Sequence, residues 1–125
     1  MQTLIAIAVG GALGALSRHF VSSAVMKITG GGFPYGTFAV NIVGSFLMGL
    51  LIIAFAHRFD MTPALRALFT VGFLGSFTTF STYSMETVML VERGDFQGAA
   101  FYAGGSLFVG VLALMAGMWL GRIVA

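Results

Sequence analysis

Between the six basic and four acidic side chains of this sequence lie apolar stretches as long as a lipid bilayer is thick. A helix rising about 1.5 Å per residue crosses the hydrocarbon core in about 20 residues. The chain has 125 residues, of which 58% are hydrophobic and only 8% charged, whereas a water-soluble surface needs roughly a quarter of its residues charged. Lipid is therefore the solvent, and the length leaves room for about four helices and little else.

The spans are expected at about 3–24, 37–56, 63–90 and 99–123, forming a single transmembrane domain over residues 1–125. Lys27 and the breaker cluster Thr29-Gly30-Gly31-Gly32-Phe33-Pro34-Tyr35-Gly36 end the first. Thr62 is placed to cap the third, with Pro63 at its first position, and Glu92-Arg93-Gly94-Asp95 closes it. An even number of crossings puts both termini on one side. Met1-Gln2-Thr3 carries no basic segment and the apolar run outlasts a signal peptide's, so the first span is expected to be retained.

Composition excludes several kinds of chemistry. Without cysteine there is no disulfide frame, thiolate metal site or cysteine nucleophile. The few basic residues are scattered, which argues against a nucleic-acid surface. His19 has no partner at metal-ligand spacing and His57 falls in a turn. Hydroxyls inside the spans lack a positioned His or Lys to activate them, so the chain is not expected to be an enzyme.

The third span is anomalous. In Gly72-Phe73-Leu74-Gly75-Ser76-Phe77-Thr78-Thr79-Phe80-Ser81-Thr82, seven of the eleven residues are Gly, Ser or Thr. Glycine costs backbone entropy, and Ser or Thr can bond the backbone in place of the helical ladder, so a mid-membrane break is expected between about Gly75 and Thr79. A break frees carbonyls and amides that in hydrocarbon must find protein or a polar cavity. Both a packed kink and an ion site satisfy that requirement. Asn41 in the second span, with Ser45 one turn along the same face, is either an interhelical hydrogen bond or a pore amide. Tyr102 and Ser106 share a face of the fourth span. Arg18 lies inside the first span and must pair, snorkel or face water; Glu86 is its acidic candidate, and an electropositive vestibule is the other reading. Gly10 with Gly14, and Gly117 with Gly121, are read as close-packing faces.

Counting Lys and Arg on the two sides gives Arg58, Arg66 and Arg122 against Arg18, Lys27 and Arg93, a tie. With no excess to fix orientation, the chain can insert both ways up, and opposed copies can pair about a two-fold axis in the membrane plane.

Gly10-Gly11-Ala12-Leu13-Gly14-Ala15 followed by Arg18, Gly36-Thr37 followed by Val40-Asn41 and Gly44-Ser45-Phe46, and Gly72-Phe73-Leu74-Gly75 leading into Thr78-Thr79-Phe80-Ser81-Thr82, together resemble the CrcB/Fluc fluoride channel family. The resemblance implies an all-α, four-span membrane protein with a broken third helix. It also implies an antiparallel, dual-topology homodimer with two pores, passive fluoride export, and a place in the cell inner membrane. By that likeness Asn41 is a pore amide and Phe80 the first of an aromatic pair, with Tyr83 standing where a phenylalanine is expected. Thr79 and Ser81 contribute hydroxyls, Tyr102 and Ser106 a polar track, and Arg18 the vestibule. The backbone carbonyls of Gly75 and Thr78 are implied to hold a structural sodium ion at the dimer axis. Gly110, one turn past Ser106, departs from the pattern by lacking a hydroxyl. A dual-topology exporter of the small multidrug kind competes with this reading, but it needs a carboxylate within its first span and none is present. A purely structural membrane subunit is a third possibility, in which Asn41 and Phe80 are replaceable.

Overall fold

The computed structural model describes residues 1–57 and 60–124; Arg58, which enters the charge count, lies outside them. The described residues are helical apart from short connections. α1 runs Gln2–Thr29, α2 Tyr35–His57 and α6 Phe96–Val124, and each is long and apolar enough to cross a membrane. Between α2 and α6 lie α3 (Pro63–Ala67), a π-helical turn (Leu68–Leu74), α4 (Gly75–Phe77) and α5 (Phe80–Glu92).

The helices extend past the apolar spans read from the sequence, because hydrogen-bonded turns continue where hydropathy stops. α1 carries Lys27 in its last turn, where a cation is favourable at the negative end of the helix dipole. It ends at Gly30, whose φ of 84° is left-handed and whose N–H donates to the Met26 carbonyl at 3.0 Å. A side chain is strained in that conformation, and glycine is not. Thr62 caps α3 by accepting the Leu65 N–H at 3.2 Å, with Pro63 following it, as the sequence predicts.

Two glycine faces bring backbones into contact. A Cβ on Gly49 of α2 would strike the Leu114 carbonyl of α6, and one on Gly117 would strike the Phe46 carbonyl. Gly121 continues the same seam against Ile53. On the other side, Gly10 and Gly14 of α1 lie against the backbone at Leu68 and Phe73, and a Cβ on Gly72 would stand 2.9 Å from the Ile7 carbonyl. Both GxxxG pairs are thus packing faces, the use small residues have between helices in lipid. The second face also accommodates the wider π-helical turn, which local propensity does not announce.

Regular helix stops at Phe77 and resumes at Phe80. Thr78 (φ −86°, ψ 157°) and Thr79 (φ −150°, ψ 120°) are extended, and this interruption falls within the Gly75–Thr79 window. Val40, Leu74 and Tyr102 are the most deeply buried large side chains among the described residues.

Candidate functional site

An extended residue presents its own N–H and C=O to the same side, as in a strand. At Thr79 both groups meet one carboxamide. The Thr79 N–H donates to Asn41 Oδ1 at 2.8 Å, and Asn41 Nδ2 donates to the Thr79 carbonyl at 3.1 Å. Asn41 therefore completes the broken backbone as a neighbouring strand would. An amide nitrogen carries two N–H groups, so one remains to donate elsewhere.

Thr79 also caps α5, its Oγ accepting the Thr82 N–H at 3.2 Å and lying 3.5 Å from Ser81 Oγ. These side-chain bonds have a consequence for the carbonyls upstream. In an unbroken helix the Gly75 and Thr78 carbonyls would accept the amides of Thr79 and Thr82. Both amides are diverted, one to Asn41 and one to Thr79 Oγ. Gly75 is exposed on the outside of the subunit. Its carbonyl and that of Thr78 are neutral oxygens of the kind that suits a hard cation such as sodium. Among the described residues no three His, Cys, Asp or Glu side chains converge on a metal site, so an oxygen site at the break would be built from backbone.

Two cavities flank the break. One of about 550 Å³ is lined by Asn41, Ser45, Thr79, Phe80, Tyr83 and Ser106, with Leu107 and Leu114 completing an apolar wall. The other, about 300 Å³, is lined by Arg18, His19, Ser22, Ser23, Thr37, Thr79 and Thr82. Thr79 belongs to both walls, so the interruption is where a cationic chamber and a neutral hydroxyl-lined chamber meet.

The structure divides the residues singled out in the sequence. Asn41, Thr79, Phe80, Tyr83 and Ser106 gather around the larger cavity. Ser81 is exposed at the start of α5. Tyr102 is fully buried behind Tyr83, their rings 5.4 Å apart. Phe80 and Tyr83 form a tilted pair at 5.6 Å. The Tyr83 hydroxyl, which a phenylalanine would lack, donates to the Ala103 carbonyl of α6 at 2.8 Å; it anchors the ring.

Glu86 is not the partner of Arg18. Its carboxylate accepts from the Thr37 hydroxyl and from the Tyr102 hydroxyl at 3.4 Å. Among the described residues the ion pair joins Arg93 to Asp95 at 3.9 Å, at the exposed end of α5. Arg18 is left facing its chamber. Sequence reasoning did not find the Thr37 and Glu86 contact, nor the contribution of His19, Ser22 and Ser23. Thr37 sits one turn before Asn41 on the same face of α2, and that spacing was the available signal.

A helical membrane protein with two chambers meeting at an interrupted helix is the class these features define. The chain belongs to the CrcB family: residues 5–118 match the family described as CrcB-like protein, Camphor Resistance (CrcB). A protein of Allorhizobium ampelinum, named Fluoride-specific ion channel FluC, is 43% identical over 122 residues, covering 98% of each chain. Proteins of the same name from Acidobacterium capsulatum and Vibrio parahaemolyticus are 45% identical over 120 residues and 47% identical over 115. Those alignments cover 95% and 92% of this chain, and 96% and 87% of the relatives. The chain is a multi-pass membrane protein.

Proposed function

We propose that this chain is a fluoride-selective ion channel that lets fluoride leave passively, down its gradient. The observation that carries the reading is the position of Thr79 in the walls of both chambers, held there by Asn41. The names of the relatives supply the ion. A small anion stripped of water and moved into hydrocarbon would incur a cost of tens of kcal/mol, so the pathway must offer replacement donors without holding the ion too tightly. Arg18 draws anions to the outer chamber by charge. Beyond the break, the free N–H of Asn41 and the Ser106 hydroxyl are neutral donors, and the edges of Phe80 and Tyr83 are weakly positive. Neither chamber needs a proton or nucleotide to drive the ion.

The working unit in this reading is an antiparallel homodimer with two pores, inserted in the bacterial inner membrane. Residues 63–92 form the third of four crossings, broken mid-membrane at Thr78 and Thr79. Supporting it, Phe80 is 78% exposed in the single subunit although it borders the larger cavity, so a second copy is needed to close the wall. The tied basic count supports opposed insertion. The Gly75 and Thr78 carbonyls, deprived of their helical amides, are suited to hold a structural sodium ion between the two copies. A sodium ion held there would supply a positive charge near the pathway.

The test is fluoride efflux from liposomes containing purified protein, followed with a fluoride electrode, with chloride efflux from matched liposomes. Fluoride is expected to escape while chloride is retained. Retention of fluoride by well-folded protein would overturn the reading.

A further inference from the structure

Hydroxyls in helices commonly bond back to the carbonyl one turn before, and this chain does so at Thr29, Thr70, Thr78 and Thr87, with distances of 2.8 or 2.9 Å. The two serines of the larger cavity behave differently. Ser106 Oγ is buried without a hydrogen-bond partner among the described residues. Ser45, half-buried on α2, has no back-bond to Asn41 or other protein partner among them. An orphaned hydroxyl in a low-dielectric setting costs free energy unless something in the cavity receives its hydrogen.

Gly110 lies one turn beyond Ser106 on α6, between the cavity-lining Leu107 and Leu114. Unlike Gly49 or Gly117, it is not pressed against backbone. A Cβ there would meet only Ser45 Oγ at 3.8 Å and Ile42 Cδ1 at 3.9 Å, ordinary van der Waals contact. Position 110 can therefore accept a small side chain without displacing backbone, and among its nearest neighbours there is a hydroxyl on α2.

We propose that Ser45 donates a hydrogen bond to fluoride, and that it and Ser106 form a two-helix hydroxyl pair that hands the ion along the cavity past Gly110. Ser106 donates from α6 and Ser45 from the opposite wall one turn further on. The proposal rests on the channel reading above and adds to it which hydroxyls carry the ion past Asn41. Because the second donor sits on α2, moving a hydroxyl to position 110 of α6 restores the same function from the other side.

The experiment measures fluoride efflux from liposomes for the wild type, S45A, S45A/G110S and S45A/G110A, each confirmed to be folded by its elution profile. S45A is expected to slow efflux by about five- to tenfold, the loss of one hydrogen bond of ordinary net strength. S45A/G110S is expected to recover most of the rate, and S45A/G110A to recover none, since it fills the same space without a donor. An unchanged rate in S45A overturns the proposal, and so does recovery with G110A, which would make the position a matter of cavity volume. Should S45A not fold, S45C keeps the volume with a weaker donor and is expected to be intermediate in rate; a wild-type rate for S45C then counts against the proposal. Wild-type protein that retains fluoride overturns the channel reading itself, a result separate from any difference among the variants.

Discussion

On α2, the face toward α6 and the face toward Thr79 solve opposite problems within the same helix. Toward α6, glycines bring the two backbones together, with Gly49 against the Leu114 carbonyl and Gly117 against the Phe46 carbonyl. Toward Thr79, a long polar side chain reaches out to replace hydrogen bonds that the chain has given up. The first contact tolerates no added atom at Gly49 or Gly117. The second borders cavities, so water can stand in for a lost partner. The comparison teaches that rigidity and polarity are kept apart: the scaffold is set by packing, which frees the polar joint to serve ions.

The sharpest way to break this comparison is to place a side chain in the seam. Gly49→Val would drive its Cβ into the Leu114 carbonyl, costing about 3 kcal/mol or more; loss of a monodisperse peak on size exclusion is expected, and normal recovery would show that the seam yields. Next in size is Asn41→Ala. It strands the Thr79 N–H and carbonyl, but cavity water can re-satisfy them, so stability should fall by only about 1–2 kcal/mol. Fluoride efflux should fall about a hundredfold, equivalent to nearly 3 kcal/mol. Thermal unfolding in detergent and liposome efflux, measured on the same preparation, separate the two effects. A collapsed protein would mean that the joint belongs to the scaffold.

Tyr83→Phe sharpens the boundary between the two regions. It removes the bond to the Ala103 carbonyl while keeping the ring, so a loss of about 1 kcal/mol in stability is expected, with fluoride efflux close to the wild type. A large change in efflux would return the hydroxyl to the pathway. The smallest effect is expected from Arg93→Ala. Arg93 donates to the Gly32 carbonyl at 3.0 Å and pairs with Asp95 at an exposed helix end. Such surface contacts contribute about 0–1 kcal/mol, and chemical denaturation should barely distinguish the variant.

The three apolar helices were legible in the sequence because bilayer thickness imposes a length that apolar runs reveal directly. Asn41 and the Gly, Ser and Thr run were legible as anomalies, since a polar amide or a poor helix former in lipid demands a reason. What escaped depends on pairings between distant segments. The π-helical turn at Leu68–Leu74 packs its backbone on Gly10 and Gly14, a tertiary effect with no local signature. Glu86 was paired on paper with Arg18 because opposite charges invite pairing. The fold instead surrounds it with Thr37 and Tyr102 from two other helices, and hydrogen bonds from neutral hydroxyls leave no trace in a charge count. Tyr83 stands out in the sequence only as a tyrosine in place of a phenylalanine, and nothing local says that its hydroxyl reaches α6.

The bond between Asn41 and Thr79 also has a meaning in time. The two residues are 38 positions apart, and the ribosome makes Asn41 first. In the proposed four-span reading, residues 63–92 enter lipid as they leave the translation machinery, with an amide and a carbonyl of the interrupted backbone exposed, each costing several kcal/mol in that setting. α2 has by then been synthesised and already carries the side chain that receives both. The nascent chain therefore contains its own template for accepting a defective helix, and the order of synthesis ensures that the template precedes the defect.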